Sequence, residues 1–155
     1  MDVHIRWMIR RDMPQVLSIE MACFGSPWNE EDFIKCLRQR NCIGMVAEAD
    51  EEVIGFMIYE LHKKRLDLLD FAVHPLHHRK GVGTAMIEKL RGKLSFERRR
   101  RLVMPVCESN LNAQLFCKAM GLKAVDVHRE YFGDGQDAYI FELTHVPSVH
   151  ELAEA

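Results

Sequence analysis

The sequence predicts an α/β fold with a mixed sheet, and two observations support this prediction. The first is residues 66–90, where an apolar run stops at His74-Pro75, a basic loop carries Gly81 and Gly83, and apolar residues then recur at helical spacing. This pattern is typical of a strand, a glycine turn and a helix. The second is the order of elements along the 155 residues, which is β-α-α-β-β-β-α-β-α-β-β.

The N-terminal part begins with a strand, because apolar and polar residues alternate over residues 3–9. A helix follows Asp12, which we expect to be its N-cap, with Gln15 completing a capping box. The segment 24–28 contains glycine, serine and proline and interrupts the helical pattern. Asn29 then caps a second helix.

The remaining elements follow from the same patterns. Strands are predicted at residues 45–49, 53–61, 66–73, 102–106, 123–132 and 138–143, and helices at residues 82–94 and 110–120. Leu111 and Leu115 are expected on the inner face of the last helix, which ends at Gly121. We place a single domain at residues 1–145 and a loose tail at residues 146–155.

Composition excludes several classes of function. A formal net charge of -2 argues against a general nucleic-acid binder, and no apolar stretch approaches the ~20 residues of a membrane span. The cysteines form no Cys-x-x-Cys pair and lie at positions 23, 36, 42, 107 and 117. This scatter favours reduced thiols and a cytoplasmic protein. His74, His77 and His78 lack the spacing of a metal site, so no metal is predicted.

The glycine loop predicts an anion site. The first turn of a helix presents free N–H groups and the positive end of the helix dipole, and Arg79 and Lys80 add charge. No Lys-Ser/Thr pair follows the second glycine, as a P-loop would need, and the third glycine of a dinucleotide fingerprint is absent. The alternative is a turn that uses glycine only for tight packing.

Longer stretches of the chain carry a family resemblance. The matching pieces are Ile19-Glu20, Phe24, Pro27-Trp28, Glu31, Phe33, Phe71-Ala72-Val73-His74-Pro75, Arg79-Lys80-Gly81-Val82-Gly83, Ser109-Asn110, Met120-Gly121-Leu122, Arg129-Glu130-Tyr131-Phe132 and Asp137-Ala138. Together with the element order, they resemble the GCN5-related N-acetyltransferases (GNAT superfamily). Within it, they are most similar to the ribosomal-protein N-terminal alanine acetyltransferases.

The resemblance implies a fold and a cofactor. The fold would be a mixed, mostly antiparallel sheet of six to seven strands with about four helices and a V-shaped opening between two central parallel strands. Acetyl-coenzyme A would lie along the backbone of Phe71, Ala72 and Val73, and Asn110 would bind its pantetheine arm, although Asn110 also suits a helix N-cap. Its pyrophosphate would be held by Arg79, Lys80, Gly81, Val82, Gly83 and Thr84.

Acetyl transfer needs a base for the amine, donors for the oxyanion and a proton for the leaving thiolate. The N–H of Val73 would stabilise the oxyanion. By comparison with the relatives, the usual glutamate base is replaced by Pro105, and the tyrosine acid is replaced by Cys117. Both inherited catalytic groups are therefore missing, and the chain must use others if it is active.

Four residues could replace the missing groups. Asp67, on the central strand, is a candidate base or a salt-bridging residue, and Glu108 is a candidate base or a helix-start charge. Cys117 could act as the acid or fill space on a helix face. Tyr131 is a further candidate. The resemblance also places three residues on the acceptor side, namely Glu20, Trp28 and Tyr131.

The sequence thus predicts acetyl transfer from acetyl-coenzyme A to a primary amine in a ternary complex, and the favoured acceptor is the α-amine of a protein or peptide. The alternatives are a coenzyme A-binding module with weak or no catalysis, or an enzyme for lysine, polyamines or other small amines. A purely structural domain would not bind coenzyme A. We expect a monomer or homodimer, with no nucleic acid or membrane partner.

Overall fold

The computed structural model describes residues 2–154, which form seven strands and five α-helices. The strands are β1 (His4–Trp7), β2 (Cys42–Ala49), β3 (Glu52–Leu61), β4 (Arg65–Val73), β5 (Arg101–Cys107), β6 (Lys123–His128) and β7 (Ala138–Thr144). The helices are α1 (Met13–Cys23), α2 (Glu30–Leu37), α3 (Val82–Arg91), α4 (Leu111–Ala119) and α5 (Val149–Glu154). The predicted order is confirmed, with α5 added. Within the described residues, no helix has the length and apolar character to span a membrane.

The strands form one sheet in the order β1-β2-β3-β4-β5-β7-β6. β4 and β5 run parallel, whereas β1–β2, β2–β3, β5–β7 and β6–β7 are antiparallel pairs. The parallel register joins residues 65–67 to residues 101–103, at the start of both strands. Both strands continue beyond it. The predicted mixed, mostly antiparallel sheet with a central parallel pair is confirmed.

The chain folds as two compact units. The first contains the chain up to Glu60 together with Leu68–Ile87, and the second contains Leu61–Asp67 together with the chain from Glu88 onward. β4 therefore begins in the second unit and ends in the first. The single domain predicted for residues 1–145 stays a prediction.

The core of the first unit is centred on Phe33 of α2. This side chain is fully buried, and its ring makes edge contacts with Trp28 and Phe56 at centroid distances of 5.1 and 5.6 Å. Such aromatic pairs add about 0.5–1.5 kcal/mol each beyond the burial of their area. Val16 and Ile19 of α1 belong to the same cluster. Phe33 therefore joins both helices to the sheet and holds Trp28 in place.

The start of α1 differs from the prediction. The carboxylate of Asp12 accepts two hydrogen bonds from the Arg6 guanidinium, at 2.8 and 2.9 Å, and one from the Ile9 N–H at 2.8 Å. Gln15 instead accepts a bond from the Val53 N–H at 2.7 Å. The predicted capping box is wrong because a charge-assisted two-point bond to Arg6 is stronger than a local cap. This bond also holds the pKa of Asp12 below its usual range.

The start of α2 follows the prediction. Asn29 accepts a hydrogen bond from the Asp32 N–H at 2.9 Å, and the Asp32 carboxylate accepts one from the Asn29 N–H at 2.9 Å. This reciprocal pair is a capping box, in which each side chain satisfies a backbone donor of the other residue. The N-cap predicted at Asn29 is confirmed, and it fixes where the irregular segment before α2 ends.

The inner face of α4 also differs from the prediction. Leu111 and Leu115 are 63% and 55% exposed, whereas Cys117 is completely buried. The more buried positions include Ala113, Cys117 and Met120, which are spaced by four and three residues as one helix face requires. The predicted face is wrong because the apolar pattern of this short helix fits two faces, and the sequence favoured the more hydrophobic one.

The C-terminal residues form a helix rather than the predicted loose tail. The carboxylate of Glu151 in α5 accepts hydrogen bonds from the N–H groups of Phe96, at 3.1 Å, and Ser148, at 3.0 Å. It also lies 3.0 Å from Nε2 of His145. These contacts attach α5 to the rest of the second unit, so the prediction for residues 149–154 is wrong.

Candidate active site

β4 carries the residues on which the predicted coenzyme site depends. Its side chains alternate in burial along the strand, as expected when successive residues point to opposite sides. The buried set is Leu66, Leu68, Asp70 and Ala72, and the half-buried set is Asp67, Leu69, Phe71 and Val73. Asp67 therefore shares a face with Leu69, Phe71 and Val73, as the sequence predicts. The buried set includes a carboxylate, Asp70.

A glycine in β3 lets the neighbouring backbone approach the end of β4. A Cβ added to Gly55 would lie 3.0 Å from the Ala72 carbonyl oxygen, 3.3 Å from the Met86 sulfur and 3.6 Å from the Val73 Cα. The first of these atoms belongs to the backbone and moves only if the strand moves. Gly55 is therefore needed for the position of the strand that would pair with the coenzyme.

We expect Gly55→Val to lower the free energy of unfolding by about 1–3 kcal/mol, because the larger side chain overpacks this contact. Displacement of β4 should also weaken coenzyme A binding. Urea denaturation and calorimetry measure the two effects. The control is Gly92→Val, since a Cβ at Gly92 meets no atom closer than 3.5 Å. Equal losses in the two variants would contradict the role of the close approach.

The end of β4 is held by hydrogen bonds from three directions. The His74 N–H donates to the Ile54 carbonyl at 2.8 Å. The Val73 carbonyl accepts from the Cys23 thiol at 3.3 Å and from Nε2 of His78 at 2.6 Å. Because a carbonyl can only accept, Nε2 of His78 carries the proton. Val73 is thus fixed by side chains from α1 and from the following loop.

The loop between β4 and α3 turns through the left-handed region twice, at Arg79 (φ +62°) and at Gly81 (φ +83°). A Cβ at Gly81 would meet no atom within 4 Å, so the space beside this residue is open. The helix hydrogen-bond series begins with Ala85 N–H to Gly81 carbonyl at 3.0 Å. The N–H groups that precede Ala85 have no acceptor within the helix. This geometry suits an anion such as a pyrophosphate.

Asp67 lies in an ion-pair cluster. Its carboxylate accepts a hydrogen bond from Nε of Arg65 at 2.8 Å and lies 3.3 Å from Nε2 of His62. Its side chain is 22% exposed. These contacts favour the salt-bridging alternative for Asp67. Its role as a base stays a prediction.

The two substituted positions lie in the second unit. Pro105 stands in β5 opposite Ile140 of β7. Cys117 is completely buried, with its sulfur 3.7 Å from the sulfur of Met104. Burial raises the pKa of the Cys117 thiol to about 12. A buried thiol with so high a pKa donates its proton poorly, which argues against the predicted acid role and favours packing.

Three other predicted residues lie on loops or at helix ends. Glu108 is exposed, and its carboxylate accepts a hydrogen bond from the Asp137 N–H at 3.1 Å. Asn110 caps α4 by accepting a bond from the Ala113 N–H at 3.1 Å, which leaves its amide nitrogen as a donor. Tyr131 is 41% exposed, and its ring lies 5.0 Å from that of His128. The catalytic and coenzyme roles of these residues stay predictions.

On the predicted acceptor side, Glu20 lies inside the protein instead of at an open surface. It is 2% exposed, and its Oε2 accepts a hydrogen bond from the Trp28 N–H at 2.8 Å. Trp28 is half-buried, with its ring against Phe33. The Glu20 side chain therefore holds the segment between α1 and α2 through the backbone N–H of Trp28.

Sequence reasoning missed Asp70 and Cys23. Asp70 is 8% exposed, and its burial, together with the neighbouring Glu20 carboxyl group, raises the pKa of Asp70 well above its ordinary value. Burial and the charges of these two carboxyl groups raise the pKa of Cys23 to about 11. The sequence did contain a signal for Asp70, because a carboxylate on the same strand face as Leu66, Leu68 and Ala72 is expected to be buried.

Comparison with known proteins identifies the family. The sequence model described as the acetyltransferase (GNAT) family matches residues 13–122. The ribosomal protein bS18-alanine N-acetyltransferase of Salmonella typhimurium is 27% identical over 135 residues, covering 85% of this chain and 90% of that protein. The N-alpha-acetyltransferase of Sulfurisphaera tokodaii is 25% identical over 142 residues, covering 83% and 85%.

Solved structures share the fold. The ribosomal-protein-S18-alanine N-acetyltransferase of Escherichia coli has a TM-score of 0.82 at 24% identity, covering 95% of this chain and 96% of that one. Arabidopsis thaliana Naa50 in complex with the bisubstrate analogue CoA-Ac-MVNAL has a TM-score of 0.78 at 16% identity, covering 92% and 99%. The chain therefore belongs to the acetyltransferase (GNAT) family and is an acetyl-coenzyme A-dependent N-acetyltransferase.

Proposed function

We propose that this chain acetylates the α-amine of a protein or peptide N-terminus by direct attack on acetyl-coenzyme A in a ternary complex. The observation that carries the proposal is the arrangement at the end of β4, where the Val73 backbone is fixed and the left-handed Gly81 opens the first turn of α3. In this proposal, the pyrophosphate lies on residues 79–84 and the pantetheine arm pairs with residues 71–73.

The acceptor class is supported by the relatives. The Salmonella relative is named for the alanine of a ribosomal protein, the Sulfurisphaera relative for α-amines, and the Arabidopsis structure holds coenzyme A joined to a peptide. An α-amine also has a pKa of about 7.7–8.0, against about 10.4 for lysine, so it needs only a modest base. This suits a chain without the usual glutamate at Pro105.

The chemistry then divides among few groups. The acetyl thioester would lie beside the end of β4, where the Val73 N–H would donate to the developing oxyanion. Such a donor contributes about 2.7–4 kcal/mol to transition-state stabilisation in acyl-transfer enzymes. The Cys23 thiol and Nε2 of His78 donate hydrogen bonds to the Val73 carbonyl, on the opposite side of the same residue from its N–H. Their part is to keep the strand end rigid.

The proposal is tested by measuring coenzyme A binding and thiol release separately. Calorimetry with coenzyme A should give a one-to-one complex. Incubation with acetyl-coenzyme A and peptides that have a free N-terminus should release thiol, while the same peptides with a blocked N-terminus should not. Binding without release for any peptide, lysine, polyamine or small amine would contradict the proposal.

A coenzyme A-binding protein with weak or no catalysis is the second candidate. Two features favour it: proline has no titratable side chain at position 105, and the buried Cys117 thiol, with its raised pKa, donates a proton poorly. The same pair of measurements separates the two candidates. Binding with no turnover supports this second function, and turnover with lysine or polyamines alone would assign another acceptor.

A further inference from the structure

Two cysteines of the first unit contact each other. The Cys42 thiol donates a hydrogen bond to the Cys36 sulfur, and the two sulfur atoms lie 3.3 Å apart. The sulfurs of a disulfide lie about 2.0 Å apart, so these two would have to approach each other by about 1.3 Å. A change in the two side-chain torsions moves the sulfur atoms on this scale. The two thiols, both free in this structure, are therefore close enough to form a disulfide.

The other three thiols have different partners. Their acceptors are the Val73 carbonyl for Cys23, Oε1 of Gln136 for Cys107 and the Met104 sulfur for Cys117. The structure describes all five cysteines, and no second pair of them is joined by a hydrogen bond. A disulfide that forms within this fold therefore has one pairing.

The backbone between the two cysteines holds them together. Cys36 lies in the last turn of α2, and Cys42 is the first residue of β2. The Gln39 N–H donates to the Cys36 carbonyl at 3.1 Å, and the Cys42 N–H donates to the Gln39 carbonyl at 3.1 Å. Both cysteines also belong to the core around Phe33. Because groups held in contact react as if at a high local concentration, the fold favours a bond between these two sulfurs.

The surroundings of the two thiols define the order and the rate of the reaction. Cys36 is half-buried, whereas Cys42 is 8% exposed, so a dissolved oxidant meets Cys36 first. Burial raises the pKa of both thiols, which slows their attack because the thiolate is the nucleophile. The reduced form therefore lacks the thiolate stabilisation that makes the disulfides of strong oxidants easy to reduce. We expect a disulfide that forms slowly and, once formed, resists reduction.

We propose that Cys36 and Cys42 are a redox modification site, at which a low-molecular-weight disulfide oxidises the two thiols to an intramolecular disulfide. The inference does not depend on the proposed function. The Cys36 sulfur attacks the oxidant, whose S–S bond breaks and releases one small thiol. The Cys42 sulfur then attacks Cys36, and the second small thiol leaves. Each cysteine proton ends on a released thiol, so two cysteines are oxidised and one small disulfide is reduced.

The disulfide would fix α2 at its second end. The capping box of Asn29 and Asp32 already fixes the first end, and Phe33 packs the helix onto the core. A covalent link between the end of α2 and the start of β2 lowers the conformational entropy of the unfolded chain. For a short loop in a chain of this size, the melting temperature should rise by about 4–8 °C.

The test equilibrates the folded protein with oxidised and reduced glutathione and then unfolds it in the presence of N-ethylmaleimide. Mass spectra should show the loss of two hydrogen atoms and the alkylation of three of the five cysteines. Proteolysis should yield a linked peptide that contains Cys36 and Cys42. Dithiothreitol should restore all five alkylation sites and return the melting temperature to that of the reduced protein.

Single variants separate the two steps. In Cys42→Ala the first step can occur and the second cannot, so glutathione should stay bound to Cys36. In Cys36→Ser neither the link nor an adduct should form, because Cys42 is buried. Cys107→Ser changes a half-buried cysteine outside the pair, and this matched control should form the disulfide as the wild type does.

Three results would overturn the inference. The first is a wild-type protein in which all five cysteines are alkylated after equilibration, or in which glutathione stays bound to Cys36. The second is a disulfide that maps to a different pair of cysteines. The third is a linked protein that melts below the reduced one, since the fold would then not hold the two sulfurs where a disulfide needs them. None of these measurements uses acetyl-coenzyme A or an acceptor, so the inference and the proposed function fail independently.

Discussion

Gly81→Val is expected to weaken coenzyme A binding at least tenfold. Gly81 has φ +83°, a left-handed conformation that a β-branched side chain adopts only with strain. The turn must therefore change, and the N–H groups at the start of α3 lose their common direction toward the pyrophosphate. A tenfold change corresponds to about 1.4 kcal/mol. Calorimetric titration with coenzyme A measures it directly.

Gly135→Val is the matched control for this prediction. Gly135 also has φ +83° and no atom within 4 Å of an added Cβ, but it lies in the turn before β7. Both variants suffer the same backbone strain and should lose similar stability. Only Gly81→Val should lose affinity for coenzyme A. Equal affinities in the two variants would show that the glycine serves packing alone, as the alternative for this loop holds.

Phe33→Ala is expected to lower the free energy of unfolding by about 4 kcal/mol. The side chain is completely buried and contacts the rings of Trp28 and Phe56, so its removal leaves a cavity and breaks two aromatic contacts. A loss of this size is a large part of the stability of a typical domain. Urea denaturation followed by fluorescence measures the change, and Trp28 reports directly on this site.

Leu111→Ala provides the comparison for Phe33→Ala. Leu111 is 63% exposed on α4, so its truncation should change the free energy of unfolding by no more than about 0.5 kcal/mol. The sequence alone assigns Leu111 to a buried face and would predict a large loss. A small effect at Phe33 combined with a large effect at Leu111 would contradict the core as described.

The fold was predictable because its signals are local. The alternation in β4 and the glycine turn before α3 need only neighbouring residues, and both are confirmed. Asp12 does stand at the N-cap position of α1, but the predicted capping box is wrong because its carboxylate bonds to Arg6 of β1, which no capping pattern can show. The prediction of which face of α4 is buried was wrong because a nine-residue helix with scattered apolar residues fits more than one orientation.

The candidate site was predictable only in part, for the same physical reason. The glycine loop is a continuous motif, and its left-handed geometry at Gly81 agrees with the motif. Glu20 and Asp70 lie on a helix and a strand that are distant in sequence, so the burial of their two carboxylates could not be inferred from local patterns. Cys117 looked available for catalysis because sequence does not report burial, which is complete there.

In the proposed function, the chain transfers an acetyl group to an α-amine. The most direct measurement uses one lysine-containing peptide with a free N-terminal alanine, incubated with acetyl-coenzyme A and analysed by fragmentation mass spectrometry. We predict one acetyl group per peptide, on the α-amine, with one equivalent of thiol released. Acetylation confined to the lysine side chain, or no acetylation despite bound coenzyme A, would contradict the proposed function.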